Sequence, residues 1–278
     1  MQAESTPLLR CIKAATQEYG PNERTGTASF GLRRPRQPNT TATVRHPQML
    51  DHDILQKLVE TGQLTTLRRG ERLPPTRLGG ETAIVVIAGL AGIESHLDSE
   101  RRQIHAFAFP RELICLEPFE AMPDLAVTAM IETRLCRVRP PRLPHAPEVT
   151  ARDLELARMA NALQRERLAF LKRQAVHAAT LGRLSGEERV ATLLLELALV
   201  SGRKRGTETV FDLTMTRSDM ADYLDLNADT LSRLLSRLRN AQVLSLDGRN
   251  EARVDDVAAL ERLTPLAGAV RQMRPRAA

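Results

Sequence analysis

Hydrophobic and polar positions follow four different textures along the chain. Residues 1 to 48 set few apolar positions among Thr, Pro, Arg and Gln, too few to offset the entropy of ordering, which predicts a flexible arm. From 49 to 147 the runs are short. After a helical stretch, HDILQKLVETG, come LTTL, AIVVIAG, AGIESHL, QIHAFAF and ELICLEPF, separated by Gly, Pro and charged turns. Such spacing predicts an antiparallel roll or sandwich. Pro140, Pro141, Pro144 and Pro147 then close the strand region.

Residues 148 to 182 change period. Up to 181 they hold no Gly or Pro, and the apolar marks Leu156, Met159, Leu163 and Phe170, then Leu168, Leu171, Ala175 and Ala178, recur at steps of three and four, which predicts one long helix. A helix of roughly 30 residues spans about 45 Å, longer than a small domain needs. Its stripe therefore wants a partner, and a second copy is the economical choice, giving a parallel pair packed through Leu156, Met159 and Leu163. The alternative is that the stripe packs only against the roll of its own chain.

Residues 183 to 268 hold several short elements. A helix, EERVATLLLELALVS, precedes a β-prone TVFDLTM. TRSDMADYLDL follows, with Thr216 and Asp219 at capping-box spacing. Asp225-Leu226-Asn227 reads as a turn, and Asn227 as the cap of NADTLSRLLSRLRN. Two short helices about a tight turn, the second basic, form a helix-turn-helix pattern. VLSLDG and EARVDD fit a hairpin turned at Asp247-Gly248, the wing of a winged variant, and DDVAALERL closes the domain. Residues 269 to 278 read as a flexible tail. The fold class expected is α+β: an N-terminal β-roll, a long dimerisation helix and a C-terminal winged helix-turn-helix.

Charge sharpens this picture only locally. Forty Lys and Arg against 34 Asp and Glu give a net +6 and a pI near 9.8, which permits a polyanionic partner. Residues 203 to 278 carry thirteen basic against eleven acidic groups, a net of +2, so positive charge there must concentrate on one face to hold nucleic acid. No long uncharged apolar run and no apolar leader occur, so no membrane contact and a cytoplasmic location are expected. Cys11, Cys115 and Cys136 are far apart and odd in number, which suits free thiols rather than a disulfide framework or metal clip. Six scattered histidines offer no nucleophile with its base and no metal cluster, so neither an enzyme nor a metal site is expected.

The quoted basic helix carries the candidate chemistry. If Leu231, Leu234, Leu235 and Leu238 pack inward, Asp229, Ser232, Arg233 and Arg237 share the outer face. In a major groove Arg takes guanine O6 and N7, a carboxylate accepts from cytosine N4, and Ser bonds base or phosphate. Asp229, Ser232 and Arg233 are thus candidate base readers, with Thr216, Arg217, Thr230 and Arg237 as phosphate contacts or supports. The plainer alternative is a solvated face whose Asp stabilises the helix dipole. Another is a dimeric ligand-binding scaffold without DNA, which would leave Ser232, Arg233 and the wing unexplained.

LTMTRSDMADYLDLNADTLSRLLSRLRNAQVL resembles the DNA-binding region of the Crp/Fnr family of bacterial transcription regulators, on its Fnr and FixK branch, and QIHAFAFPRELICL resembles part of that family's cyclic-nucleotide-binding-like roll. The resemblance covers roughly residues 50 to 265. It implies a homodimer on a two-fold symmetric double-stranded DNA site, oxygen- or redox-linked gene control, and RNA polymerase as a further partner. In the Fnr branch the recognition helix carries Glu-x-x-Ser-Arg for a TTGAT-like half-site; the matching positions are Asp229, Ser232 and Arg233, an acid one methylene shorter. Cyclic-nucleotide-binding members carry Gly-Glu-Leu followed by an Arg. Glu112 and Leu113 match, but Arg111 replaces the glycine and no Arg follows until Arg134, so no cyclic nucleotide is expected. The branch's [4Fe-4S] cluster needs about four thiolates; Cys136 matches the roll cysteine, but only Cys11 lies in the N-terminal arm. FixK-type members work without a cofactor, and none is expected here; the alternative is an atypical cluster on Cys11, Cys115 and Cys136, or a haem on His105 or His96.

Overall fold

The computed structural model describes residues 50–77, 83–139, 150–206, 208–247 and 251–274. The N-terminal arm, the proline cluster at 140–149 and the wing tip at 248–250 lie outside them. Helix α1 (His52–Thr61) buries Leu55, Leu58 and Val59, one face at steps of three and four.

Eight strands follow: β1 (Gln63–Leu67), β2 (Arg72–Leu73), β3 (Ala83–Ala88), β4 (Ala91–His96), β5 (Arg102–Ala108), β6 (Leu113–Ile114), β7 (Ala126–Ala129) and β8 (Thr133–Val138). They form two antiparallel four-stranded sheets, ordered β1-β8-β3-β6 and β2-β7-β4-β5. Ile84, Val86, Ile93, Val127 and Leu135 are buried in the core that the sheets enclose. The turn between β5 and β6 needs a positive φ at Arg111, 72°. Two neighbours hold it there, since Arg111 N–H bonds the Val86 carbonyl and its guanidinium donates twice to the Leu50 carbonyl.

Helix α2 (Ala151–Arg183) starts at a capping box of Thr150 and Asp153. It has two apolar faces. Met159, Ala162, Leu163 and Phe170 are buried in the roll of the same chain, whereas Leu154, Leu168 and Leu171 are 56%, 55% and 43% exposed. The expected pairing through Leu156, Met159 and Leu163 is therefore corrected: Met159 and Leu163 are used within the chain, Leu156 is only half-buried, and a different row is left outward. Periodicity shows that a stripe exists without showing which neighbour takes it.

The C-terminal domain is built on α3 (Gly186–Val200), capped by Ser185 and Glu188 and buried on most sides. Strands β9 (Arg203–Arg205) and β10 (Glu208–Asp212) lead to α4 (Arg217–Leu224) and α5 (Ala228–Asn240). The wing strands β11 (Ser245–Asp247) and β12 (Glu251–Val254) pair with Asp247 opposite Glu251, in a sheet ordered β11-β12-β10-β9. Helices α6 (Val257–Arg262) and α7 (Ala267–Met273) end the described chain. The tail expected from 269 is corrected at this point: α7 continues through Met273 and buries Val270 and Met273. The core of this domain is continuous with Leu90, Ile104, Phe107, Phe109 and Met130 of the roll, so the two domains share one apolar seat.

Candidate nucleic-acid interface

Helices α4 and α5 are set by local chemistry. Thr216 accepts from Asp219 N–H at 3.0 Å, while the Asp219 carboxylate accepts from Thr216 N–H and hydroxyl at 2.8 and 2.7 Å. Asp225 closes α4 in the left-handed region at φ 52°, a conformation Asp tolerates better than most residues. Asn227 then accepts from Thr230 N–H at 2.7 Å and starts α5. Arg189 of α3 pins the turn, donating to the Leu224 and Asp225 carbonyls at 3.0 and 3.3 Å and to Leu181 and Leu184 at the end of α2. The angle of the helix pair is thereby tied to the framework.

On α5 the four leucines at 231, 234, 235 and 238 are all buried, and Asp229, Ser232, Arg233 and Arg237 are exposed. Ser232, Arg233, Ser236, Arg237 and Asn240 line one open surface depression. The Ser232 hydroxyl donates to the Ala228 carbonyl at 2.8 Å, leaving its lone pairs to face outward. Thr230 and Arg217 are half-buried. Burial lowers the pKa of the Arg217 guanidinium and nearby Arg239 lowers it further; its Nη1 finds no hydrogen-bond partner among the described residues. That nitrogen is itself buried, so it meets a phosphate only where the guanidinium turns outward. Arg237 differs, because its Nη1 donates to Glu187 of α3 at 3.0 Å. A phosphate there has to compete with a carboxylate, which the sequence of α5 alone does not show.

The roll reaches this interface. Arg102 of β5 donates to Asp219 at 2.6 Å and to Asp222 at 2.7 Å, and Gln103 donates to the Asp222 carbonyl at 3.1 Å. Burial pushes the Asp219 carboxyl up, but hydrogen bonds from Thr216 and Arg102 outweigh it and hold the group below the usual carboxylate range. Neither Arg102 nor Arg189 stands out in the sequence; their role comes from the docking of two domains.

The described residues do not fit the cluster of the Fnr branch. Burial pushes the Cys115 thiol up to about 12 and Cys136 up to about 11, and Cys136 donates to the Leu58 carbonyl at 3.3 Å. Cys11 lies outside the described residues. Among them no group of three or more His, Cys, Asp or Glu could hold a metal ion. His105 bonds Ser95 at 2.8 Å and stacks on Phe119, and His96 lies 3.0 Å from Asp124, so both proposed haem ligands have structural partners. No described helix is long and apolar enough to cross a membrane.

Comparison with known proteins agrees with this geometry. Residues 188–263 match the model of the Crp-like helix-turn-helix domain. The chain is 34% identical over 184 residues to the nitrogen fixation regulation protein FixK of Azorhizobium caulinodans, covering 66% of this chain and 71% of that one. It is 29% identical to the transcriptional activator protein FnrL of Cereibacter sphaeroides, over 63% of this chain and 69% of that one. Among solved structures, FixK2 from Bradyrhizobium japonicum superposes with a TM-score of 0.57 at 27% identity, covering 73% of this chain and 98% of that chain. A winged helix-turn-helix with an outward Ser-Arg pair, on a roll and long helix shared with these regulators, places the chain in the Crp/Fnr family of non-enzymatic DNA-binding transcription regulators, among its FixK- and Fnr-like members.

Proposed function

We propose that the protein acts as a homodimer on a two-fold symmetric DNA site of the Fnr/FixK type, with α5 of each subunit in one major groove. The outward set Asp229, Ser232 and Arg233 on a helix whose leucines are all buried carries this reading. Arg233 reads guanine, Asp229 accepts from cytosine N4, and Ser232 offers lone pairs to a base donor or a water. Arg217, with Thr216 and Thr230 beside the two helix N-termini, meets phosphate, and Arg237 joins them where phosphate displaces Glu187.

The outward row of α2 supports the dimer. Leu154, Ala157, Asn161, Gln164, Leu168, Leu171, Ala175 and Ala178 alternate at steps of three and four and are exposed except for half-buried Ala157, the seam of a two-stranded coiled coil. Asn161 falls at a position of the first kind in that repeat, where a polar residue fixes register in a parallel pair at a cost in stability. Relatives bear names of activators and of regulators of nitrogen fixation and of fumarate and nitrate reduction. Those names accord with a transcriptional activator; activation through RNA polymerase, control linked to oxygen supply and action in the cytoplasm complete the proposal. Buried, protonated thiols favour a regulator that needs no bound cofactor.

The test is fluorescence anisotropy of the full chain on a TTGAT-N4-ATCAA duplex and on a scrambled duplex across a salt series. Tight, salt-sensitive preference for the first supports the reading. Equal, salt-insensitive affinity for both overturns it.

A further inference from the structure

The covalent joint between the roll with α2 and the DNA-binding domain is only Leu184 and Ser185, both extended. What fixes the domain in rotation is therefore noncovalent. Most of the shared seat is apolar, and apolar burial is non-directional. It holds the domain without defining an angle, which leaves direction to two polar links, Arg102 on Asp219 and Asp222 of α4 and a second one at the end of α7.

Helix α7 ends at Arg274, a guanidinium with 6% of its side chain exposed. It ion-pairs with Glu112 of the roll, donates twice to Glu196 of α3 at 2.9 and 3.1 Å, and lies 5.3 Å from the Phe109 ring centroid. Glu112 is fully buried and fixed beforehand: its carboxylate accepts from Phe109 N–H at 3.0 Å, at the tight turn that Arg111 makes at positive φ. Arg173 of α2 stands 3.8 Å from the same carboxylate. One planar fork thus joins a rigid acid of the roll to an acid of the DNA-binding domain. A fork on two carboxylates has directional preference that the apolar seat lacks.

We propose that Arg274 is a positioning residue for DNA recognition: through Glu112 and Glu196 it sets the rotation of the helix-turn-helix domain on the roll, and so the spacing of half-sites that the dimer accepts. Removing one member of a buried pair strands the other charge, whereas removing all members together costs little. The informative variant is therefore Arg274→Met with Glu196→Gln, which leaves Glu112 beside Arg173, set beside Arg274→Lys, which keeps the charge and loses the fork.

Two readouts on full-length protein separate this proposal from the dimeric DNA reading on which it rests. The first needs no DNA: hydrogen exchange at the joint, residues 184 to 186, is expected to quicken in the neutral variant while its roll core stays protected. The second compares duplexes whose spacer between half-sites is native or lengthened by one or two base pairs. The parent is expected to lose roughly tenfold or more per change, and the neutral variant less than threefold, with Arg274→Lys between them. A neutral variant that keeps the parent's exchange at the joint and its spacer preference overturns the proposal. So does one that loses the roll's protection as well, because Arg274 then serves the fold as a whole. A parent that ignores the symmetric duplex fails the dimeric reading, and the exchange experiment still decides the latch.

Discussion

Helices α5 and α2 are both amphipathic, and they differ in how many apolar rows they carry. Helix α5 has one apolar face, four leucines in 13 residues, all turned into its own domain; Asp229, Ser232 and Arg233 are left on the outer side. Helix α2 carries two apolar rows over 33 residues, one buried in the roll through Met159, Leu163 and Phe170 and one left exposed at Leu154, Leu168 and Leu171. A single stripe can be assigned from spacing alone. Two stripes at nearly the same period can be told apart only when one neighbour is in place.

The largest effect that sharpens this contrast comes from the inward faces. Phe170→Ala and Leu231→Ala are each expected to cost about 3 to 5 kcal/mol, since a cavity opens where no water enters. The first should lower the melting temperature of the roll and the second that of the DNA-binding domain, as calorimetry on each variant would show. Similar loss in one shared transition would mean that the two cores behave as a single unit.

A second effect depends on pH and lies at the base of α2. His177 stacks on Tyr223 with ring centroids 4.0 Å apart, and burial holds it down at about 4, with His105 and Arg189 adding to the shift. Its folded value lies below its ordinary 6.5. The folded state therefore binds fewer protons, and stability present above pH 6.5 is lost as pH falls toward 4. His177→Phe keeps the stack and should remove on the order of 3 kcal/mol of that loss, seen as a flatter curve of denaturant midpoint between pH 7 and 4.5.

The outward faces break the comparison in opposite ways. Leu168→Glu with Leu171→Glu should convert dimer to monomer in sedimentation at micromolar concentration and leave the roll's unfolding unchanged. Leu163→Glu should instead unfold the roll. On α5, Arg233→Ala should cost roughly 1 to 3 kcal/mol on the symmetric duplex and relax the choice of one base pair, with little change on scrambled DNA. Arg237→Ala should have the smallest effect, under about 1 kcal/mol and equal on all sequences, because Glu187 already holds that guanidinium.

Elements whose signal lies within a few residues were legible in the sequence. Thr216 with Asp219, and Asn227 with Thr230, form the caps that their spacing implies, and the buried leucines of α5 leave the anticipated residues outside. The five strand runs named from the sequence likewise hold strands, whereas β2, β7 and β8 of the roll were not anticipated. Distant pairings were not legible. Arg189 on the turn, Arg102 on Asp219, and Arg274 on Glu112 link residues between 35 and 162 positions apart, and an isolated arginine looks the same whether it is solvated or holds two domains. The end of the chain was misread for the same reason. Val270 and Met273 look sparse in a short polar segment, yet both fall on the buried side of one helix turn.

The continuity of α2 has a mechanical consequence. Thirty-three residues in one unbroken helix make a rod of about 50 Å, its inner face buried in the roll as far as Phe170 and its last stretch of about 20 Å running on to the joint with the DNA-binding domain. A tilt of about 10° over that stretch displaces the joint by roughly 3.5 Å, close to the axial step between neighbouring base pairs. Motion too small to disturb the packing of the roll is therefore large enough, at the tip of the lever, to shift the protein by one letter of its site.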